Sequence, residues 1–409
     1  MPLAIAELSP PLKGLSRHFG GAVVMKRTIF ACVCALGQLG LLWVSSPAEA
    51  SVFDYESRIK ANQRIIQQEP GSANAEEAYL EWGDLASEAA LARYSEAASA
   101  YEGLLQHFPE SKFTREVTFY LAYVNHYYLY DYKKALLYYG LILKKYRDLK
   151  FTRPDYYKNV AFISLTIEDI RRSAASIVQL IQTAEEFDRI STTGTKGQII
   201  SAADNLARLY RNEKNYDKAI GLYTRIVENA EDADFIQDAM FNIGDIFLTS
   251  IPEFRREYYN STINVQEDVN ASLGRGISAM RGLVDRFPRG RRAARALLEI
   301  AKAYMNVSVE KISEGSAEVG HYIMGDFPRA EETLKTAIND YPNSEIRDEA
   351  LFRLGQVYES EQIDGYNKRT YGMRRFKEAV AVYQQLVREY PGSAYTDRAK
   401  ERISAIGTR

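Results

Sequence analysis

The sequence predicts an all-α chain built as a solenoid of stacked helix hairpins. Three observations predict it: a recurring spacing of apolar and small residues, a low content of 12 prolines in 409 residues, and proline turns that close several copies of the pattern. In LFRLGQVYES, at 351–360, Leu351, Leu354, Gly355 and Tyr358 share one face of a helix. Because glycine inside a helix costs about 1 kcal/mol relative to alanine, Gly355 predicts a second helix that crosses too closely for a side chain.

The same pattern recurs in six copies, each of which supplies a first and a second helix. The first helix surrounds a small residue with apolar ones, and the second carries a small residue four positions before an aromatic or apolar one. The paired small residues are Gly83 and Ala97, Ala122 and Ala135, Ala207 and Ala219, Gly244 and Gly276, Ala301 and Ala330, and Gly355 and Ala379. Each second helix opens on an aromatic residue or leucine, namely Tyr94, Tyr132, Tyr216, Leu273, Phe327 and Phe376. A degenerate seventh copy lies around 156–187. Internal repetition of this kind predicts a repeat architecture.

The copies resemble the tetratricopeptide repeat (TPR), whose signature W-x2-L-G-x2-Y…A-x3-F…P spans 34 residues. The resemblance covers most of 74–398. It implies a right-handed superhelical solenoid of TPR-like helix hairpins with no sheet. Most residues of the pattern are then packing positions, which specify the fold and carry no chemistry.

Proline and serine residues between the predicted helices indicate how the chain is organised. Proline ends several second helices, and the serine two residues later is a good N-cap or turn residue for the next helix. We expect a capping helix within 51–73, an N-terminal TPR lobe at 74–190, and a C-terminal TPR lobe at 198–409 that ends in a closing helix. The stretch STTGTKG at 191–197 is the predicted linker between the lobes.

Residues 1–50 have the pattern of an export signal. From Met25, Lys26 and Arg27 precede an apolar run to Val44, and a small-residue site follows at 48–50. We expect cleavage after Ala50 and a periplasmic mature chain, with Met25 as an alternative start and an uncleaved membrane anchor as the alternative interpretation. The chain has two cysteines, both in the apolar run. The mature chain would therefore lack disulfides, thiolate metal sites and cysteine nucleophiles.

The rest of the composition argues against catalysis and against nucleic acid. The chain has 52 basic and 54 acidic residues, so no excess of positive charge favours a polyanion. No two of the four histidines lie within four residues of each other, as a metal-binding pair on a helix would. No other stretch is apolar enough to cross a membrane. We therefore expect no enzyme activity, no cofactor and no metal.

The resemblance also implies a binding groove. In tetratricopeptide hairpins the first helix lines the concave surface, and aromatic residues with scattered charges on that surface suit a peptide segment of a partner protein. An aromatic stripe along 115–132 includes His126. The predicted groove residues are Phe119, Tyr123, His126, Asp204, Arg208, Phe241, Asp245, Lys302, Phe352 and Gln356. The alternative is that these aromatic residues fill gaps between repeats.

The later copies are stretched between their two helices. The inserts carry Tyr258, Tyr259 and Asn260, then 309–322, then 364–371. Insertions at the same point of successive repeats project from one edge of a solenoid, which is often functional. Lengthened helices with a longer turn are the alternative.

The proline turns and the export signal resemble periplasmic tetratricopeptide proteins of the BamD and CpoB (YbgF) kind. This resemblance implies a non-enzymatic scaffold of the bacterial envelope that binds a protein or peptide partner, in outer-membrane assembly or in division. The chain lacks the lipid-attachment cysteine context of the first kind and the long coiled coil of the second, which leaves the pathway and any peripheral association with the outer membrane open. The alternative is an envelope enzyme, or the regulatory subunit of one, that uses the edge carrying the inserts.

Overall fold

The computed structural model describes residues 47–87, 91–146, 166–250, 263–306, 325–363 and 370–408. Within these ranges the chain forms fifteen α-helices. They are α1 Pro47–Gln68, α2 Ala73–Ser87, α3 Tyr94–His107, α4 Thr114–Tyr127, α5 Tyr132–Lys145, α6 Ile167–Thr193, α7 Lys196–Asn212, α8 Tyr216–Asn229, α9 Ala233–Asp245, α10 Ile263–Arg286, α11 Ala293–Asn306, α12 Phe327–Asp340, α13 Arg347–Glu359, α14 Phe376–Glu389 and α15 Thr396–Gly407.

The chain separates into two compact units, one up to His107 and one from Phe108. In the first unit α1 packs on α2, and α2 packs on α3. In the second unit the described helices from α4 to α15 each pack on the next one along the chain. Such neighbour-to-neighbour packing defines a solenoid of helix hairpins, so the all-α fold class predicted from the repeat is confirmed.

The close helix crossing predicted at Gly355 is present. A Cβ atom at Gly355 would lie 2.3 Å from Cε1 of Tyr383, which is fully buried on α14. A Cβ atom at Gly83 would likewise lie 2.3 Å from Cε1 of Tyr101 on α3. The glycine therefore makes room for the ring of the paired second helix, and the two positions of the repeat depend on each other.

Polar side chains accept hydrogen bonds from backbone N–H groups at the starts of several helices. Asp131, Asn215 and Asp326 each accept a hydrogen bond from the backbone N–H three residues on, at the start of α5, α8 and α12. Ser72 caps α2 by accepting from the N–H of Ala75 at 3.0 Å. Ser393 instead accepts from the N–H of Tyr395, two residues on, and so orders the turn before α15. These bonds satisfy N–H groups that a helix start leaves without partners.

Two expectations need correction. The chain is not free of strand, because Gln362–Ile363 (β1) pairs antiparallel with Thr370–Tyr371 (β2) between α13 and α14. The stretch 191–197 is not an open linker: α6 runs to Thr193 and α7 begins at Lys196. A capping box formed by Thr195 and Gln198 starts α7 at once, which explains why only two residues separate the helices.

The ends and inserts are described in part. The predicted capping helix is α1, whose buried residues are Ile59 and Asn62, while Tyr55 and Ile65 are half-buried. The apolar run and the residues before it lie outside the described part of the chain, and the predicted cleavage point falls within α1. The insert residues 258–260, 309–322 and 364–369 also lie outside the described part.

Candidate protein-interaction face

The predicted groove residues all lie on first helices of the second unit: α4, α7, α9, α11 and α13. We use the term first-helix face for the surface that these predicted residues form together with the side chains that contact them. Its residues differ in how much surface they expose and in which partners they hold within the chain.

Ion pairs join successive first helices directly. Arg211 of α7 pairs with Asp245 of α9 and donates to Asn242 at 3.2 Å. Arg292, next to the start of α11, donates to Asp238 of α9 at 2.7 Å. Two further links continue the series, from Arg295 of α11 to Glu349 of α13 at 3.2 Å and from Arg402 of α15 to Glu359 of α13 at 2.9 Å. Because these pairs bypass the second helices, they make α7, α9, α11, α13 and α15 one laterally connected surface.

Three of the predicted residues are buried. His126 and Phe352 are each 1% exposed, and Phe119 is 7% exposed. Phe352 packs between Tyr383 and Tyr395, at ring distances of 5.7 and 5.2 Å, with Arg398 over its face. These side chains present almost no surface to a partner in this conformation; they support the face from below.

The other seven predicted residues keep accessible surface. Arg208 is the most open, with 60% of its side chain exposed beside its helical neighbour Asp204. Phe241 is half-buried and lies under the guanidinium of Arg292, 5.1 Å from its ring centre. Tyr123, Asp245, Lys302 and Gln356 are intermediate in exposure.

Aromatic rings cluster on α4. Tyr123 lies 4.8 Å from Tyr127, 6.0 Å from Tyr128 and 6.2 Å from Phe119, measured between ring centres. Such tilted and edge-on pairs are favourable arrangements for aromatic rings. The rings of Tyr123, Tyr127 and Tyr128 are half-buried, so this cluster both packs internally and retains an apolar outer surface.

A charged cluster occupies the α11–α13 junction. Glu349 accepts from Arg295 at 3.2 Å and from Arg353 at 3.3 Å, and Lys302 lies 4.0 Å away. Lys302 also pairs with Glu299 at 2.8 Å. Arg353 donates to Gln356 at 3.0 Å, while its buried Nε has no hydrogen-bond partner among the described residues. Three cationic side chains therefore share the carboxylates of Glu299 and Glu349. The cluster can accommodate one more hydrogen-bond acceptor, such as a carboxylate of a partner.

Beneath the α4 cluster lies a buried polar network. Nε2 of His126 is 2.6 Å from Oε2 of Glu213, and Nδ1 of His126 is 3.1 Å from the Tyr139 hydroxyl. Ser176 of α6 also donates to Glu213. A proton on Nε2 of His126 lets the ring donate to the Glu213 carboxylate. This network ties α4, α5 and α6 to the end of α7, 87 residues away in sequence from His126.

The environment shifts the proton affinities of two buried groups. Burial raises the pKa of Glu213, but hydrogen bonds from His126 and Ser176 outweigh it, so this pKa lies below its usual value. Burial raises the pKa of Tyr223 to about 12. The hydroxyl of Tyr223 has no hydrogen-bond partner in the described structure, so the ring fills space between α7 and α8 and the hydroxyl serves no network.

Sequence reasoning missed four residues of this face: Arg211, Arg295, Glu349 and Arg353. Each lies three or seven positions from a predicted residue on the same helix: Arg211 follows Arg208 by three, and Arg295 precedes Lys302 by seven. Those intervals return to the same helix face, so the signal was present. Nothing in the residue types distinguished these charges from solvated ones.

A metal-binding cluster and a membrane-spanning helix are both absent from the described residues. These residues contain no group of three or more histidine, cysteine or acidic side chains that could hold a metal ion. In that same part of the chain, none of the helices is both long and apolar enough to span a bilayer.

Comparisons with known proteins bear on the repeat and on the C-terminal part. A family model described as an outer membrane lipoprotein, YfiO, matches residues 256–409, and a tetratricopeptide repeat model matches residues 202–234. No curated protein sequence matches the chain.

Similar solved structures include other tetratricopeptide proteins. One from Parabacteroides merdae is 11% identical, with 86% of this chain and 98% of that chain covered and a TM-score of 0.22. The TPR domain of P58(IPK) is 9% identical, with 89% and 99% covered and a TM-score of 0.24. Likenesses at this level carry no argument about function. Together with the helix hairpins, the two family matches make residues 202–234 similar to a tetratricopeptide repeat and residues 256–409 similar to the YfiO (BamD-like) outer membrane lipoprotein family.

Proposed function

We propose that this protein is a non-enzymatic adaptor of the bacterial envelope that holds a segment of a partner protein on its first-helix face. The observation that carries the proposal is the series of ion pairs that connects α7, α9, α11, α13 and α15 side by side. A connected surface with accessible aromatic and charged groups suits an extended or helical segment better than a small molecule.

The family likeness supports the location and the class. Families of tetratricopeptide and outer membrane lipoprotein type are scaffolds, and the export pattern before Ser51 fits the periplasm. In this proposal the partner contacts Tyr123, Arg208, Phe241, Lys302 and Gln356, while Asp204 and Asp245 orient the arginines. Phe119, His126 and Phe352 keep the surface in shape from within the core.

Two alanine variants on the face and one control test the proposal. Tyr123→Ala and Phe241→Ala should each weaken capture of the partner from a native envelope fraction, because truncating one aromatic contact in an interface can cost about 2 kcal/mol of binding, roughly 30-fold in affinity. Phe235→Ala is the matched control, since Phe235 lies on the same helix as Phe241 and is 37% exposed. Capture should be quantified by mass spectrometry beside the melting temperature of each variant.

The melting temperatures decide between binding and packing. We expect both face variants to retain nearly the parental melting temperature and to lose partner. If both instead lose several degrees and capture partner normally once folded, the aromatic residues fill gaps between repeats and the proposal fails.

A further inference from the structure

The second helix α5 exposes an apolar pair that its role in the solenoid does not require. Leu137 is 58% exposed and Leu141 is 46% exposed. They stand four residues apart, so their side chains are neighbours on one face of the helix. Of the large apolar side chains that are exposed in the described residues, these are the two highest values.

The same face is strongly basic. The sequence of α5, YKKALLYYGLILKK, contains Lys133, Lys134, Lys144 and Lys145 and no acidic residue, in a chain whose formal net charge is -2. All four lysines are exposed. At about 100° per residue they fall on the same side of the helix as Leu137 and Leu141.

The other repeats supply an internal comparison. The position of Leu137 is the fifth after the aromatic or leucine residue that precedes the small residue of each second helix by three, and it is exposed in all six described second helices. The other five helices have Ser99, Gly221, Ser278, Glu332 and Ala381 at this position. At the position of Leu141 they have Gly103, Arg225, Gly282, Thr336 and Gln385. The apolar and basic pattern therefore belongs to α5 and is not a requirement of the repeat.

We propose that this face of α5, defined by Lys133, Leu137, Leu141 and Lys144, docks on an anionic phospholipid surface. Two leucines can enter the boundary between headgroups and acyl chains, while lysine stems extend beside them and carry their charges to the phosphates. Basic residues near an anionic leaflet are attracted to it.

Two features favour lipid over other occupants. A second copy docked through the same face would bring two sets of four lysines together, and like charges repel. A specific protein interface needs about 800 Å² on each partner, whereas a bilayer accepts single leucine side chains without a shaped pocket. The proposal is independent of the first-helix face, because α5 is a second helix, and its failure would leave the adaptor function untouched.

A spin label on this face tests the proposal in the full chain. Gly140→Cys places the label beside Leu137, on the Lys133 and Lys144 side of this face, where a Cβ atom meets nothing within 4 Å. Gly221→Cys on α8 is the matched control, because it is an equally open and exposed glycine on another second helix. Both are made with Cys32→Ser and Cys34→Ser, so that each chain carries one label.

Vesicles of phosphatidylglycerol mixed with phosphatidylcholine should make the label at position 140 accessible to lipid-soluble oxygen and protect it from a water-soluble relaxant. Vesicles of phosphatidylcholine alone should leave the label at position 140 in water. The label at position 221 should remain in water with either kind of vesicle. Lys133→Gln with Lys144→Gln should lower the vesicle partition coefficient by about 30-fold, from roughly 1 kcal/mol for each lysine. Leu137→Ser with Leu141→Thr, residues that other repeats have at these positions, should remove the immersion.

Three results would overturn the proposal. One is a label at position 140 that stays in water on anionic vesicles, even if the chain binds them through another segment. Another is immersion that does not depend on lipid charge. The third is immobilisation of the label without vesicles that increases with protein concentration, which would assign the face to a second copy of the chain.

Discussion

Alanine substitution of two glycines separates helix packing from helix propensity. Gly355 and Gly221 both lie inside helices, on α13 and α8 respectively. A Cβ at Gly355 would lie 2.3 Å from the ring of Tyr383, whereas one at Gly221 would meet nothing within 4 Å. Alanine adds about 1 kcal/mol of helix stability at either position.

The expected magnitudes follow from these contacts. Gly221→Ala should stabilise the chain by about 1 kcal/mol. Gly355→Ala gains the same propensity but overpacks a buried ring, which typically costs about 1–3 kcal/mol. The difference between the two variants is therefore the overpacking cost, and Gly355→Ala should be the less stable by that amount.

Urea unfolding followed by circular dichroism measures this difference. Full-length parent and variants should be compared at equal concentration, with a check that the denaturant slope is unchanged, since a changed slope in a repeat protein signals loss of cooperativity. Equal stabilisation by both alanines would refute the interpretation that Gly355 exists to admit Tyr383.

Three further outcomes follow from polar side chains, two from buried ones and one from an exposed ion pair. Tyr223→Phe removes a buried hydroxyl without a partner among the described residues and should be neutral or stabilising, whereas Tyr101→Phe breaks a 2.6 Å hydrogen bond to the buried Asp84 and should destabilise by about 1–3 kcal/mol. A destabilised Tyr223→Phe, or a Tyr101→Phe as stable as the parent, in urea unfolding would contradict this. Folding lowers the pKa of Glu213, so ionised Glu213 stabilises the folded state at pH values above the usual carboxyl pKa of about 4.5. This contribution to the free energy of unfolding is lost as the pH falls through the lower pKa of the folded state. Glu213→Gln should therefore flatten the acid limb of the stability profile; an unchanged limb would assign acid unfolding to other groups. Glu231→Gln, at an exposed pair with Lys196, should leave the urea midpoint nearly unchanged.

The sequence predicted the architecture well because the same pattern of small and apolar residues occurs in several copies. The close crossing at Gly355 and the cap or turn roles of Ser72 and Ser393 depend on residues near one another in the chain, and local spacing was enough to infer them. The short β1–β2 pair was missed because it lies in an insert, where no repeat pattern applies.

The candidate face was harder to predict because exposure depends on long-range contacts. His126 has the helical register of a groove residue, yet Glu213 and Tyr139 bury it from α7 and α5. Phe352 is likewise buried, because the ring of Tyr395 next to the closing helix stacks on it. Periodicity indicates which side of a helix a residue occupies, but it cannot show which side chain from a distant helix covers it.

In-cell photocross-linking from two positions of one hairpin tests the adaptor function most directly. A photoreactive amino acid replaces Arg208 on the first-helix face, or Arg225 on the second helix α8, both of which are exposed arginines. The proposed function predicts a discrete cross-linked partner from position 208 and none from position 225. A partner that cross-links at position 225 and not at position 208 would place binding on the second helices and contradict the account.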